Sequence, residues 1–206
     1  MMKLYDYPRS SAAYRVRITL YLKSIEYTPI PVNLLANEQS STDYISINPQ
    51  GLVPTLETKE GTKIRQSLAI CEYLEEMYPA PALLPTTAID RAKVRGLAAL
   101  VASDIHPIAN LRVRHYLSSV LAVDEAAVGQ WSQHWIKAGL RAYETILNES
   151  PGAKYSCGEA VSFADVCLVP QVYNANRIKM DMTNYPLLQA VADRCNLLPA
   201  FISAHP

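Results

Sequence analysis

The sequence predicts an α/β domain over residues 1–81 followed by an all-helical domain over residues 88–206, and three observations predict it. Within the first 32 residues the apolar spacing passes from strand to helix and back to strand, which makes a parallel crossover unit. Three prolines in the seven residues from Pro79 to Pro85 then stop a helix and mark the boundary. From Asp90 nearly to the end the pattern is helical, with few strand signals.

The elements follow in order. Lys3–Tyr7 reads as a strand and delivers the chain to Pro8-Arg9-Ser10-Ser11, where a helix opens with apolar residues at Tyr14, Ile18, Tyr21, Leu22 and Ile25. Ser10 and Ser11 are good N-caps. A helix start also leaves free N–H groups and a partial positive charge, so a carboxylate, phosphate or thiolate can settle there. The serines alone leave both readings open. Tyr27–Val32, with its two prolines, suits an edge strand. A polar stretch over 37–43 leads into a short helical piece that ends near Asn48-Pro49-Gln50-Gly51, a turn signal. Leu52–Leu56 and Thr62–Arg65, joined at Lys59-Glu60-Gly61, read as a hairpin. Directly behind it, Gln66-Ser67 opens a second helix with apolar residues at Leu68, Ile70, Cys71, Leu74 and Met77.

Beyond the prolines, one long helix is expected from Asp90 to about Ser118, with an interruption at His106-Pro107, where proline removes a backbone donor. Asp124 caps a helix running to about Asn148. Ser162-Phe163-Ala164-Asp165 has capping-box spacing and starts the apolar Val166–Pro170 helix at the centre of the second core. Short helices fit 186–195 and 198–204.

The totals exclude several classes. Lysine plus arginine equals aspartate plus glutamate at 19 each, which removes the electrostatic footprint of a nucleic-acid or anionic-membrane binder. The N-terminal residues hold no long apolar run and no window suits a membrane span, so a soluble, cytoplasmic protein is expected. Cys71, Cys157, Cys167 and Cys195 form no C-x-x-C pair, and His106, His115, His134 and His205 form no H-E-x-x-H arrangement, so no metal site is expected.

Four blocks carry a family resemblance that spans nearly the whole chain. The run SSAAYRVRITL from Ser10 resembles the S-S-x-x-W-R-V-R-I-A-L signature of zeta-class glutathione transferases, which include the maleylacetoacetate isomerases. NPQGLVPTLE, IRQSLAICEYLEEMYPAPALLP and FADVCLVPQVYNANRIKMD are similar to further blocks of that family. The resemblance implies the glutathione transferase fold, with a thioredoxin-like first domain and an all-α second domain, a cytoplasmic homodimer, and glutathione as cofactor. It also implies a glutathione-dependent cis–trans isomerase that converts maleylacetoacetate to fumarylacetoacetate in tyrosine and phenylalanine catabolism.

The site residues are implied by the same match. Ser10 is the serine whose hydroxyl donates to the glutathione sulfur, with Ser11 and backbone N–H groups sharing the task. A thiol of pKa about 8.5 is only a few per cent thiolate at neutral pH, and bringing it to about 6.5 needs about 2.7 kcal/mol. One charge-assisted hydrogen bond supplies about 1.5 to 3 kcal/mol and the helix dipole about 0.3 to 1, so neither a metal nor a histidine base is required. Val53-Pro54 matches the family's cis-proline turn, whose valine backbone pairs with the cysteinyl part of glutathione. Gln66 and Ser67 match the pair that grips the γ-glutamyl carboxylate, and Gln39 and Arg15 match further glutathione contacts. For Arg15 an ordinary ion pair is the alternative. His106 and Asn110 fall where family members reach glutathione, Arg112 is a weaker candidate of the same kind, and Arg177, in the N-A-x-R run, and Arg9, beside Ser10, suit substrate carboxylates because a guanidinium pairs bidentately with them.

Two departures bear on activity. Ala12 replaces a cysteine that many zeta-class members carry, and Tyr14 replaces their tryptophan. His106 resembles the maleylpyruvate isomerases of the same class, whereas the uncharged Leu111 weighs against them. The alternatives are therefore maleylpyruvate isomerisation, or glutathione transfer to small α-halo acids. A non-enzymatic scaffold has no need of the serine pair, Gln66 and Ser67.

Overall fold

The computed structural model describes residues 1–206. Its first strand, β1 (Met2–Asp6), pairs in parallel with β2 (Tyr27–Pro31), Met2 opposite Tyr27 and Asp6 opposite Pro31. On its other side β1 runs antiparallel to β3 (Thr55–Glu57), which in turn pairs with β4 (Lys63–Arg65). The sheet order is β2-β1-β3-β4. Proline has no N–H to give a neighbour, and Pro29 and Pro31 accordingly lie in an edge strand.

Side-chain alternation along β1 divides the first unit's core. Met2, Leu4 and Asp6 are buried on one face. Tyr5 and Tyr7 instead pack with Val32, Tyr44 and Val53, a small cluster closed by α2 (Thr42–Ile47). The helix α1 (Ser11–Leu22) packs against α3 (Ser67–Met77), and nine of its twelve residues are buried. It ends earlier than the apolar spacing suggests: Ser24 turns the chain at φ +53°, so Ile25 lies outside the helix and Tyr21 is left 40% exposed. Lys23 ties this end to the end of α3, donating to the carbonyls of Tyr78 and Pro81 and pairing with Glu75 at 2.7 Å.

The division of the chain differs from the sequence reading at the C-terminal end, where residues 196–206 group with the first unit. Met1–Leu83 together with Asn196–Pro206 form one compact unit, and Leu84–Cys195 form the other. The last helix, α9 (Pro199–Ala204), packs on α1. The buried Arg17 guanidinium joins three segments of this unit: Nη1 donates to both carboxylate oxygens of Asp6 at 2.7 and 2.9 Å, Nη2 to the carbonyl of Pro8 and Nε to the carbonyl of Ala204. Burial raises the pKa of Asp6, and the charge and hydrogen bonds of Arg17 oppose that rise.

In the second unit the expected long helix is α4 (Ala88–Ala99), a π-helical turn over Leu100–Ile105, and α5 (Leu111–Ser119), so the interruption falls at His106–Asn110. Thr87 caps α4 through the N–H of Asp90. Asp124 caps α6 (Glu125–Leu147), and α7 (Phe163–Arg177) and α8 (Pro186–Asn196) follow. Gly139 of α6 lets Ile105 come close: a Cβ there would lie 2.2 Å from Ile105 Cγ1. At the start of α7 the fully buried Asp165 carboxylate accepts from the N–H groups of Ser156 and Ser162 and from the Ser162 hydroxyl, all within 2.9 Å. Its pKa is raised by burial, against the pull of these donors. α7 continues through Pro170. No helix is long and apolar enough to cross a membrane.

Candidate functional site

The first unit brings most of the predicted residues to strand ends and helix starts. At the end of β1 the chain turns through Pro8 and Arg9 into α1, with Ser10 as its N-cap. Ser10 Oγ accepts the N–H of Ala13 at 3.2 Å, which occupies a lone pair and leaves the hydroxyl hydrogen to donate elsewhere. Ser10 is half-buried and Arg9 beside it is exposed, whereas Ser11 is buried in the first turn. Both an electropositive helix end and a free O–H therefore converge near one half-buried position. Tyr14 lies deeper in α1, its ring within 6.1 Å of His205 and covered by the guanidinium of Arg17.

The loop ahead of β3 is pinned from below. Leu52's carbonyl accepts from the Tyr44 hydroxyl at 2.7 Å and from Asn48 Nδ2 at 2.6 Å, and Asn48 Oδ1 accepts from the N–H of Gln50. Arg65 donates from Nε and Nη2 to the carbonyl of Ile47. Gly51 at φ +60° makes the turn, where a Cβ would press on the Gln39 carbonyl at 3.1 Å. The Val53–Pro54 peptide is cis. Neither the N–H nor the carbonyl of Val53 is hydrogen-bonded within the protein. A buried residue with an unpaired backbone offers a strand edge to an extended ligand. Tyr44 and Asn48 were not singled out in the sequence, although Asn48 opens the Asn-Pro turn signal.

The third position is the start of α3. Gln66 caps it at φ +69°, ψ +120°, a conformation that costs a non-glycine residue about 1 to 3 kcal/mol and survives only where its surroundings enforce it. Its Nε2 donates to Gln50 Oε1 at 2.8 Å. Ser67 follows at the first helical position, 6% exposed. Behind Ser67, Arg15 is only 1% exposed, and its Nη1 donates to Ser67 Oγ at 3.1 Å. Arg15 thus meets the second helix start from inside the protein. Gln39 lies in the 3₁₀ turn Glu38–Ser40, with Nε2 bonded to Asn37 Oδ1 and a buried, unpartnered Oε1.

The chain matches the family models "Glutathione S-transferase, N-terminal domain" over residues 1–76 and "Glutathione S-transferase, C-terminal domain" over 136–199. It is 45% identical to the maleylacetoacetate isomerase of Pseudomonas aeruginosa, over 100% of this chain and 96% of that protein. It is also 45% identical to a maleylpyruvate isomerase described as a bacterial zeta-class glutathione S-transferase, whose holo structure superposes with a TM-score of 0.96 over 99% of this chain and 96% of that one. The chain belongs to the zeta-class glutathione transferases. A third relative, the maleylacetoacetate isomerase of Methylobacterium extorquens AM1, was solved with glutathione and malonate bound; it is 37% identical, with a TM-score of 0.96 over 99% of this chain and 96% of that one.

The remaining residues expected in a zeta-class site belong to the second unit of this transferase. His106 closes the π-helical turn and is half-buried. Asn110 has a structural task of its own, since its Oδ1 caps α5 by accepting from the N–H of Val113. Arg112 is exposed in the first turn of α5. Arg177 ends α7, is exposed, and donates to Asn174 Oδ1 at 2.9 Å.

Glutathione fits the groups of the first unit. It offers a thiol, a peptide backbone and a carboxylate, against which stand the free hydroxyl hydrogen of Ser10, the unpaired backbone of Val53, and Ser67 backed by the buried Arg15.

Proposed function

We propose that this zeta-class transferase catalyses the glutathione-dependent cis–trans isomerisation of a maleyl keto acid, maleylacetoacetate to fumarylacetoacetate. When bound, glutathione supplies a thiolate that adds to the carbon–carbon double bond conjugated with the ketone and leaves again once that bond has turned. Ser10 holds the sulfur in its anionic form: its Oγ accepts from Ala13 N–H at the helix start, which leaves its hydrogen to donate to the sulfur. Val53 aligns the peptide, and Gln66 and Ser67 hold the γ-glutamyl carboxylate at the start of α3. Arg9 and Arg177, both exposed and cationic, are assigned to the substrate carboxylates, and Ser11, Gln39, His106, Asn110 and Arg112 to further glutathione contacts. A cytoplasmic homodimer is part of the same proposal.

The observation that carries this reading is the Ser10 cap with its uncommitted hydroxyl hydrogen, in a chain 45% identical to an enzyme of that name. The second reading, maleylpyruvate, is favoured by His106 and by an equal 45% identity to a maleylpyruvate isomerase. The test is the ultraviolet absorbance of each maleyl compound mixed with purified protein, with and without glutathione. Glutathione-dependent loss of the maleylacetoacetate chromophore is expected. Loss of the maleylpyruvate signal alone selects the second reading, and no loss of either, in protein that binds glutathione, rejects isomerisation in favour of a conjugating or dehalogenating transferase.

A further inference from the structure

Arg15 is the largest side chain in the protein that is fully buried, and its charge has no counter-ion. The other cations of the first unit that enter ion pairs are Lys3 with Glu57, Arg17 with Asp6 and Lys23 with Glu75. Arg17, two positions further along the same helix and also buried, has every nitrogen engaged with a carboxylate or carbonyl. Arg15 makes a single side-chain hydrogen bond, from Nη1 to Ser67 Oγ at 3.1 Å, and its Nε and Nη2 are buried without a partner. A guanidinium cannot shed its charge by deprotonation at any ordinary pH. An uncompensated buried cation is costly, and a hydrophobic residue of like volume at such a site is commonly neutral or stabilising. What this arginine supplies must therefore lie outside the folding of the free chain.

Its one bond shows where the charge is applied. Ser67 Oγ is occupied as an acceptor by Arg15 Nη1, which turns the serine's own hydrogen outward and strengthens it as a donor. Ser67 also stands at the start of an eleven-residue helix, where backbone N–H groups and the helix dipole already favour an anion. We propose that Arg15 is a positioning residue that acts through Ser67: it fixes the serine as a donor and supplies the positive charge that makes the α3 start demand a carboxylate rather than a neutral group. Arg15 then decides that the enzyme takes glutathione with its γ-glutamyl α-carboxylate free, and discriminates against thiol peptides in which that group is amidated or esterified. The carboxylate in turn supplies the counter-charge that the free protein lacks. This inference rests on the assignment of the γ-glutamyl carboxylate to Gln66 and Ser67.

The test compares two ligands on four proteins. Isothermal titration calorimetry is run with glutathione and with the analogue whose γ-glutamyl α-carboxylate is a carboxamide, on wild type, Arg15→Met, Arg15→Lys and Ser67→Ala. Wild type is expected to prefer glutathione by about tenfold or more, one such factor corresponding to the loss of a single charge-assisted contact. In Arg15→Met the preference collapses towards unity because glutathione weakens while the amide does not, and Arg15→Lys keeps most of it. In steady-state kinetics the loss in Arg15→Met is read in the KM for glutathione more than in kcat, since the charge acts at the carboxylate and not at the sulfur. Without ligand Arg15→Met melts no lower than wild type, and it gains less from saturating glutathione. Equal weakening of both ligands in Arg15→Met, or an undiminished preference, overturns the role of Arg15 while leaving the carboxylate site standing. A wild type that does not distinguish the ligands overturns the carboxylate assignment itself. Should Arg15→Met not fold, Ser67→Ala decides, because it keeps the arginine and cuts its only link: retained preference there refutes the relay.

Discussion

Replacing Ser10 by glycine separates two tasks of one hydroxyl. As the N-cap of α1 it accepts the N–H of Ala13 at 3.2 Å, and as the assigned sulfur ligand it donates its hydrogen. Glycine is a tolerable N-cap, so Ser10→Gly costs only a few tenths of a kcal/mol in stability, whereas Ser10→Ala costs about 1. Both variants remove the donor completely. A hydrogen bond to a charged group contributes about 1.5 to 3 kcal/mol, which is about 1 to 2 units in the pKa of the bound thiol. Starting from a bound thiol of pKa about 6.5, the thiolate fraction at neutral pH then falls by about three- to twenty-five-fold, and glutathione-dependent turnover falls with it. The assay is the ultraviolet absorbance of the thiolate, titrated in protein saturated with glutathione, beside the melting temperature of the same samples. Ser10→Gly is expected to melt close to wild type with the thiol titration displaced upward by that amount. Ser11→Ala, altering a buried residue of the first turn that shares the task, displaces the titration less than Ser10→Gly does. If Ser10→Gly retains wild-type titration and turnover, the serine is a cap and nothing more.

Three further outcomes follow from the packing and the buried acids. Gly139→Ala drives a Cβ to 2.2 Å from Ile105 Cγ1 and should destabilise the second unit by about 1 to 3 kcal/mol; calorimetry should show the loss, and Ile105→Val, which removes a methyl group at that contact, should recover part of it. Asp165→Ala leaves the N–H groups of Ser156 and Ser162 without their acceptor in a fully buried position, a loss of about 3 kcal/mol or more by urea denaturation, while Asp165→Asn, which keeps one acceptor oxygen, loses less. Burial raises the Cys157 thiol from 9.0 to about 11 and raises Cys195 and Tyr143 as well. A raised acid keeps its proton in the folded chain after the unfolded chain has lost it, so this stability is fully present below about pH 9 and is lost as pH rises through the folded values. The urea midpoint should therefore decline from about pH 9 upward, and Cys157→Ala should make that decline shallower.

The sequence by itself determined the local devices. Alternation and proline placed the strands and made β2 an edge; Ser10, Asp124 and the Ser162–Asp165 spacing started three helices as read; the Asn48–Gly51 signal gave the turn beneath the cis Val53–Pro54 peptide. Each is set by dihedral preference, capping or periodicity, which act over a few residues and so can be read from a few residues. Ser10 and Ser67 were legible for the same reason, as hydroxyls at helix starts, whereas Val53 and Gln66 became candidates through the family resemblance. Tertiary structure decided what needed partners distant in sequence. Nothing local marks α9 as a neighbour of α1, and the bond from Arg17 to Ala204 spans 187 positions. Nothing local buries Arg15 either, since periodicity cannot tell an enclosed guanidinium from an exposed one; its place is fixed by Ser67, 52 residues on. Asn110 became a helix cap only because the π-helical turn and Pro107 broke the chain ahead of it. Caps and turns are short-range and were in the sequence, whereas the burial of a charge depends on what the rest of the chain brings to meet it.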